Sequence, residues 1–285
     1  MDALINYTEE QSTPLKGQVI GCLGGGAMGE ALVAGLLREG LVKPAALYVS
    51  DINPDRLEYL RNKLGVNVTA ANIDVVKAAD IVILAVKPQV LFPLLEEISP
   101  TARVEQTFIS IVAGATIEQI QSCFKDRVSV VRVMPNTPCL VGAGACAVSA
   151  GKYAGDENME KALAILAAVG KVLPVPEAML DVVTGLSGSG PAYMYLLLEG
   201  FVDGAVRLGL PRDTARILIA QTMAGAAKMV LETGEHPGKL KDMVTTPGGT
   251  TIAGLFALEE GGARALMMKA VAAATARSRE MSGTK

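Results

Sequence analysis

The chain has no tryptophan, and aromatic residues make up only 4% of its 285 positions. A single histidine, His236, stands in the whole sequence. The four cysteines, Cys22, Cys123, Cys139 and Cys146, form no C-x-x-C pair. That scarcity excludes a zinc site of ordinary ligand spacing, and no metal is expected. Four buried, reduced thiols are the plain expectation. No apolar run reaches the roughly 18 residues a membrane-spanning helix needs; ADIVILAV, Ala79–Val86, is strand-length and stops at Lys87. There is no dense block of lysine and arginine, and the formal net charge is −3, so neither nucleic acid nor membrane is expected as a partner. The opening MDALINYTEEQSTPLKG carries acids and lacks the basic start and apolar stretch of a secretory signal. A flexible extension over residues 1–15 and a cytoplasmic location are the corresponding expectations.

What is abundant is small and aliphatic. Half of the residues are apolar, mostly Ala, Val, Leu, Ile and Met, and there are 30 glycines. In the first half, strand-like runs recur at Gln18–Leu23, Ala46–Ser50, Ile81–Val86, Thr107–Val112, Val128–Val133 and Ala145–Val148. Helix-like segments lie between the early ones, near Met28–Glu39, Asp55–Lys63, Ile73–Ala78, Val90–Ile98 and Ile117–Cys123. Near-continuous apolar strands separated by helices predict a parallel sheet covered on both faces. After Pro174 and Pro176 the pattern reads as helices only, at Pro191–Leu208, Asp213–Thr233, Ile252–Glu260 and Ala263–Met281. The predicted fold is an α/β domain over residues 16–175 followed by an all-α domain over residues 176–285. Gly200 and Gly204 share a helix face, and Gly225 stands in an Ala-rich turn of the next helix. Each costs about 0.5–1 kcal/mol relative to alanine, a loss that close packing of another helix offsets, including one from a second subunit.

The densest local signal is VIGCLGGGAMGEAL, Val19–Leu32. Gly24-x-Gly26-x-x-Gly29 stands directly between a strand and a helix, the context that gives this spacing meaning. The first glycine makes the turn, the second lets a pyrophosphate approach the backbone, and the third lets helix pack on strand. The helix start offers free N–H groups to the phosphates. A ligand-free Gly-rich turn is the plainer alternative. The next strand ends in Asp51, close to the ~20-residue spacing of a ribose-binding acid; a helix cap or a solvated turn residue is its alternative. The first domain is therefore expected to bind NADH or NADPH. Asp51 repels a 2′-phosphate, whereas Ser50, Asn53 and Arg56 are able to hold one. Ala85-Val86-Lys87-Pro88 and Ser110–Gly114 end later strands, where the nicotinamide is expected.

Three further motifs complete the pattern: RVMPNTPCLVGAGACAV from Arg132, VTGLSGSGPAYMYLLLEG from Val183 and GEHPGKLKDMVTTPGGTTIAGL from Gly234. With GGGAMGEAL and AVKPQ, they resemble the pyrroline-5-carboxylate reductase family over about Lys16–Met281. The resemblance implies reduction of the cyclic imine acid 1-pyrroline-5-carboxylate to L-proline by NADPH or NADH, the last step of proline biosynthesis. It implies a homodimer interlocked through the helical domain, commonly assembled further into a decamer, with substrate near the nicotinamide and partly under the partner's helices. Carried over by position, Leu23, Gly24, Gly25, Gly26, Ala27 and Met28 match the cofactor loop. Asp51 matches the position that contacts the adenosine ribose or its phosphate, and Asn72 matches a cofactor-contacting asparagine. Ala85–Pro88 and Ile111, Val112 and Ala113 match the nicotinamide side. Glu177, Thr250 and Thr251 match substrate-contacting positions, and the loop before Thr250 adds Gly248 and Gly249 to the expected substrate site. Ala27, Thr246 and Met243 depart from the family's common residues, and Met243 removes one expected substrate hydrogen bond.

Imine reduction needs a hydride donor, a positioned acceptor carbon and a protonated ring nitrogen, but no strong base. The loop TTPGGTT before a helix start offers amides from Gly248 to Thr251 and two hydroxyls to a carboxylate. Thr251 is the candidate catalytic group nearest the reacting nitrogen; a helix cap is its alternative. Glu177 is placed to stabilise an iminium, or else is a solvated acid after Pro176. His236 reads as a loop cap. The β-hydroxyacid dehydrogenases also pair such domains, and their G-x-x-G-x-G-x-x-x-K is matched at Gly185, Gly188 and Gly190. Met194, however, stands where their acid/base lysine would, and alcohol oxidation needs that base. A non-catalytic cofactor-sensing module predicts a broken substrate loop, and here both threonines are present.

Overall fold

The computed structural model describes residues 13–283. Of the extension expected over residues 1–15, residues 1–12 lie outside the described residues. Thr13–Lys16 form a turn, with the Lys16 N–H donating to Thr13 O at 2.9 Å, and Leu15 is buried in the core. The chain divides into two compact units, one running to Gly188 and resuming at Thr275, the other spanning Ser189–Ala274.

The first unit alternates strands and helices in chain order: β1 Ile20–Leu23, α1 Ala27–Arg38, β2 Leu47–Ser50, α2 Pro54–Leu64, β3 Asn67–Thr69, α3 Asn72–Ala78, β4 Ile81–Leu84, α4 Pro88–Ile98, β5 Thr107–Ser110, α5 Ile117–Ser122, β6 Ser129–Met134, β7 Gly144–Ala150, α6 Asp156–Ala167, β8 Gly170–Pro174 and α7 Leu180–Val183. The strands form one sheet in the order β3-β2-β1-β4-β5-β6-β7-β8. From β3 through β6 every pairing is parallel. The all-parallel expectation fails at β7, which runs antiparallel to β6. The segment between them holds a short 3-10 turn, Thr137–Val141, and no crossover helix, and a parallel return needs one.

Both faces of the sheet are covered. On one, Ile20, Cys22, Ile81 and Ile83 meet Leu32 and Leu36 of α1 and Ile165 of α6. On the other, Leu23, Val82 and Leu84 meet Val76 of α3, Leu95 of α4 and Ile120 of α5. Alternate residues of β4 thus enter opposite cores, which is why that strand reads as an unbroken apolar run. Each such side chain contributes about 1.5–3 kcal/mol by leaving water. Local chemistry sets the helix ends. Asn53 caps α2 by accepting from the Asp55 N–H at 3.0 Å, and Pro54 takes the first helical position, where a missing N–H costs nothing. Thr116 and Gln119 form a capping box at α5. Cys22, Cys139 and Cys146 are buried free thiols, while Cys123, expected buried, is half-exposed at the end of α5. Cys139 and Cys146 lie with sulfurs 3.7 Å apart.

The second unit contains α8 Gly190–Arg207, α9 Arg212–Thr233, α10 Pro237–Met243, α11 Thr250–Glu260 and the start of α12 Ala263–Ser282. α8 and α9 pack together, burying Val202 and Ala215. Much else that is apolar stays exposed, including Leu196, Phe201, Ile217, Leu231, Phe256 and Met268. A Cβ placed on Gly200, Gly204 or Gly225 would meet no described atom within 4 Å. The close helix partner expected for these glycines is therefore not supplied by the described residues of this chain. None of the described helices is long and apolar enough to cross a membrane.

Candidate active site

Four adjacent parallel strands end in one row. Leu23, Ser50, Leu84 and Ser110 are register partners in succession, Leu23 with Ser50 and with Leu84, and Leu84 with Ser110. The residue after each strand extends the ladder by one bond. Gly24 N–H donates to Ser50 O at 2.9 Å, Ala85 N–H to Leu23 O at 2.9 Å, and Ile111 N–H to Leu84 O at 3.1 Å. The sheet order reverses between β1 and β4, and the crevice outside strand ends at such a switch point is where open α/β sheets take ligands. Segments far apart in sequence, Gly24–Met28, Ser50–Asp51, Asn72, Ala85–Pro88 and Ile111–Ala113, are thereby gathered at one edge.

The glycines of the loop divide by what surrounds them. Gly24 adopts φ +106°, and a Cβ there would lie 2.6 Å from Ala85 O. A Cβ on Gly29 would lie 2.2 Å from Gly24 O. Fold sterics alone require both. Gly26 differs: its backbone, φ −64° and ψ −176°, suits any residue, and a Cβ there would meet no described atom within 4 Å. Gly26 is also the N-cap of α1, and no described side chain caps that helix. The first-turn amides of α1 thus start beside open space, an anion cradle that a pyrophosphate fits.

The acid expected at the ribose borders this cradle. Asp51 Oδ2 accepts from Gly25 N–H at 2.9 Å, and Oδ1 accepts from Asn53 N–H at 2.9 Å. Ser50 and Asn72 are joined directly, Ser50 Oγ donating to Asn72 Oδ1 at 2.7 Å, and Asn72 Nδ2 donates to Glu97 at 3.0 Å. Leu23 and Val112 turn their side chains into the core, leaving only their backbones toward the crevice. Lys87 is exposed and forms the N-cap of α4, with Pro88 at its first position. Sequence reasoning passed over Glu30, whose carboxylate in the first turn of α1 gathers Arg56, Tyr59 and Lys63 from α2. The i, i+3, i+7 spacing of those three residues on one helix face was the available signal.

Glu177 is partly exposed but not free. Its Oε1 accepts from the buried Arg132 Nη1 at 3.0 Å and from Ile117 N–H, the first amide of α5, at 2.7 Å. Arg132 is the other residue that sequence reasoning left out. Asn136, in the motif MPNTP, ties its neighbourhood together, accepting from Ala145 N–H and donating to Ser187 O.

In the second unit, Gly248 takes φ +66° and Gly249 is the N-cap of α11. Four amides were expected to be available from Gly248 to Thr251. Gly249 N–H instead donates to Thr246 O at 3.0 Å and is taken up by the turn. Thr250 and Thr251 occupy the first two helical positions. Thr251 is half-buried, and no described side chain caps α11, so Thr251 is not a helix cap. His236 caps α10, its Nδ1 accepting from Gly238 N–H at 3.0 Å. Met243 ends α10 with its side chain largely exposed.

A glycine cradle at the switch point of a parallel sheet, with an acid at the second strand end and a helical unit following, defines a dinucleotide-binding oxidoreductase of the two-part kind. Comparison narrows the class. Residues 19–114 match the family model described as NADP oxidoreductase coenzyme F420-dependent, and residues 177–281 match that of pyrroline-5-carboxylate reductase dimerisation. The chain is 46% identical over 267 residues to the pyrroline-5-carboxylate reductase of Methanosarcina acetivorans, covering 94% of this chain and 99% of that protein. It is similar to the solved pyrroline-5-carboxylate reductase of Coxiella burnetii, with a TM-score of 0.89 and 37% identity over 93% of this chain and 98% of that one. It is also similar to the Plasmodium falciparum pyrroline carboxylate reductase solved with NADP bound, with a TM-score of 0.84 and 31% identity over 93% and 98% of the two chains. The chain belongs to the pyrroline-5-carboxylate reductase family.

Proposed function

We propose that this chain reduces 1-pyrroline-5-carboxylate to L-proline with NADPH or NADH, the closing step of proline biosynthesis. The observation that carries the reading is the row of strand ends, which brings a phosphate cradle, an acid and two later loops to one crevice in a chain of this family. When bound there, the reduced nicotinamide supplies the hydride that the imine carbon accepts. The chain's own residues hold, orient and neutralise. Gly26, Ala27 and Met28 offer backbone N–H groups to the pyrophosphate, while Gly24 and Gly25, whose amides are held by Ser50 O and Asp51, shape the loop around it; Asp51, Ser50 and Asn72 stand at the adenosine side. Ala85–Pro88 and Ile111–Ala113 form the nicotinamide side, with Leu23 and Val112 contributing backbone only.

In this reading the amides of Gly248, Thr250 and Thr251 and the two threonine hydroxyls bind the substrate carboxylate, while Gly249 shapes the turn. Thr251 stands nearest the ring nitrogen, which takes up or already carries its proton as the hydride arrives. Glu177 acts as a positioning group, through Arg132 and the first amide of α5, and does not act as a free carboxylate. Residues 176–285 serve as dimerisation and substrate domain; the exposed apolar residues and open glycines of α8 and α9 support a homodimer, able to assemble into a decamer. Four free cysteines fit a cytoplasmic setting. The test is turnover: purified protein, the imine acid and each reduced cofactor, followed by loss of reduced-nicotinamide absorbance and formation of proline. Absence of proline with both cofactors would overturn the assignment.

A further inference from the structure

Beside the cradle lies a charge cluster for which the reading above has no use. Glu30 stands in the first turn of α1, its side chain 16% exposed. Its Oε1 accepts from Lys63 Nζ at 2.9 Å and from the Tyr59 hydroxyl at 3.1 Å; its Oε2 accepts from Arg56 Nη2. Arg56 Nε donates to Gly25 O, so the same guanidinium is fixed to the loop as well as to Glu30. Its carbon lies 4.8 Å from the Tyr59 ring centroid, with Lys63 Nζ 5.1 Å away on that ring. Burial pushes the Glu30 pKa up, but hydrogen bonds from Lys63, Arg56 and Tyr59 together outweigh it and hold the carboxyl below its usual range. Glu30 is therefore an anion at neutral pH.

We infer that Glu30 sets the choice between the two nicotinamide cofactors, by withholding Arg56 and Lys63 from a 2′-phosphate at the adenosine ribose. The inference rests on the cofactor reading above and deepens it. Arg56 and Lys63 are the cations gathered on this face of α2, and Glu30 binds both. Asp51, whose carboxylate accepts from Gly25 N–H, is bound by neither cation of the cluster. A ribose hydroxyl donates to such a carboxylate; a phosphate there meets an anion. A guanidinium is a rigid planar fork, and the Nε–Nη2 edge of Arg56 is engaged, so that edge cannot turn to a phosphate without first leaving Gly25 or Glu30. Native protein should accordingly prefer NADH.

Direct binding tests this without turnover, by titrating NADH, NADPH, ADP-ribose and 2′-phospho-ADP-ribose into native protein and variants. Glu30→Gln should raise the affinity for the 2′-phosphorylated partner of each pair, relative to the plain one, by about tenfold, the scale of one freed charge-assisted contact. Glu30→Gln combined with Arg56→Gln should return the ratio to its native value. Arg56→Gln alone should move it less than threefold, and this variant keeps the question open to test should Glu30→Gln melt early. Glu58→Gln removes a charge from the same helix and should move the ratio less than twofold. An unchanged ratio in Glu30→Gln, an equal rise in Glu58→Gln, or a tenfold loss of NADPH affinity in Arg56→Gln alone overturns the inference. Failure of native protein to bind any of the four nucleotides refutes the cofactor reading itself.

Discussion

Gly26→Ser separates a ligand glycine from a fold glycine. The backbone at Gly26, φ −64° and ψ −176°, is one that serine adopts without strain, and a Cβ there meets no described atom within 4 Å. Gly26 is the N-cap of α1, where serine is the better residue by a few tenths of a kcal/mol. Stability should stay level or rise. Binding should move the other way, because the new side chain occupies the space through which a pyrophosphate reaches the first-turn amides. Loss of one hydrogen bond to a charged group is about 1.5–3 kcal/mol, roughly ten- to a hundredfold in Kd. Gly29→Ala is the contrast: its Cβ would lie 2.2 Å from Gly24 O and 3.1 Å from Cys22 Sγ, an overpacking worth about 1–3 kcal/mol that should lower the melting temperature by several degrees. Thermal melts and cofactor titrations on both variants suffice. A Gly26→Ser protein that binds NADH and NADPH as the native one does would refute the cradle, since no fold damage is available to confuse the result.

Three more perturbations follow from the same geometry. Thr251→Ala should leave cofactor binding and, because Thr251 caps nothing, the melting temperature nearly unchanged, while lowering kcat/KM for the imine about ten- to a hundredfold; normal kinetics would remove Thr251 from the site. A Cβ at Gly204 meets no described atom of its own chain within 4 Å, so a monomer should tolerate Gly204→Leu, whereas a packed dimer should weaken and lose activity; light scattering that finds the native protein an active monomer sinks the dimer. Asp51→Ser removes both the charge facing a 2′-phosphate and the acceptor of Gly25 N–H, so both cofactors should weaken, NADH more, with the ratio shifting toward NADPH by about 1–2 kcal/mol; equal weakening would mean Asp51 only braces the loop.

The alternation of strands and helices was legible because β4, β5 and β6 enter two cores at once, so that β4 reads as an unbroken apolar run and β5 and β6 as mostly apolar ones. β3 was not, being three residues of an edge strand, Asn-Val-Thr, with no apolar run to announce it. Nor was the reversal at β7, because strand direction depends on what connects two strands rather than on their own residues. The glycine loop and Asp51 were visible as local spacing. The bond from Asp51 to Gly25, the pairing of Ser50 with Asn72, and the capture of Glu177 by Arg132 join residues distant in sequence, and no window along the chain contains both partners. Thr251 looked like a possible cap; the turn instead closes through Thr246 and Gly249, one residue pair earlier.

The shared edge of β1, β2, β4 and β5 makes the sheet a ruler for whatever lies across it. Each strand delivers its site residue one position beyond its last register pair, so the spacing of the amides is set by backbone pairing alone. A one-residue slip would turn core side chains outward, and it would also carry that strand's contribution along the crevice by about 3.3 Å. Hydrogen bonds tolerate only a few tenths of an ångström. Substitutions deep in β4 or β5, far from any ligand and harmless to stability, can therefore still misplace a loop at the rim. Alignment of the strands is thus fixed from two sides, by the cores beneath and above them and by the reach of a molecule at their ends.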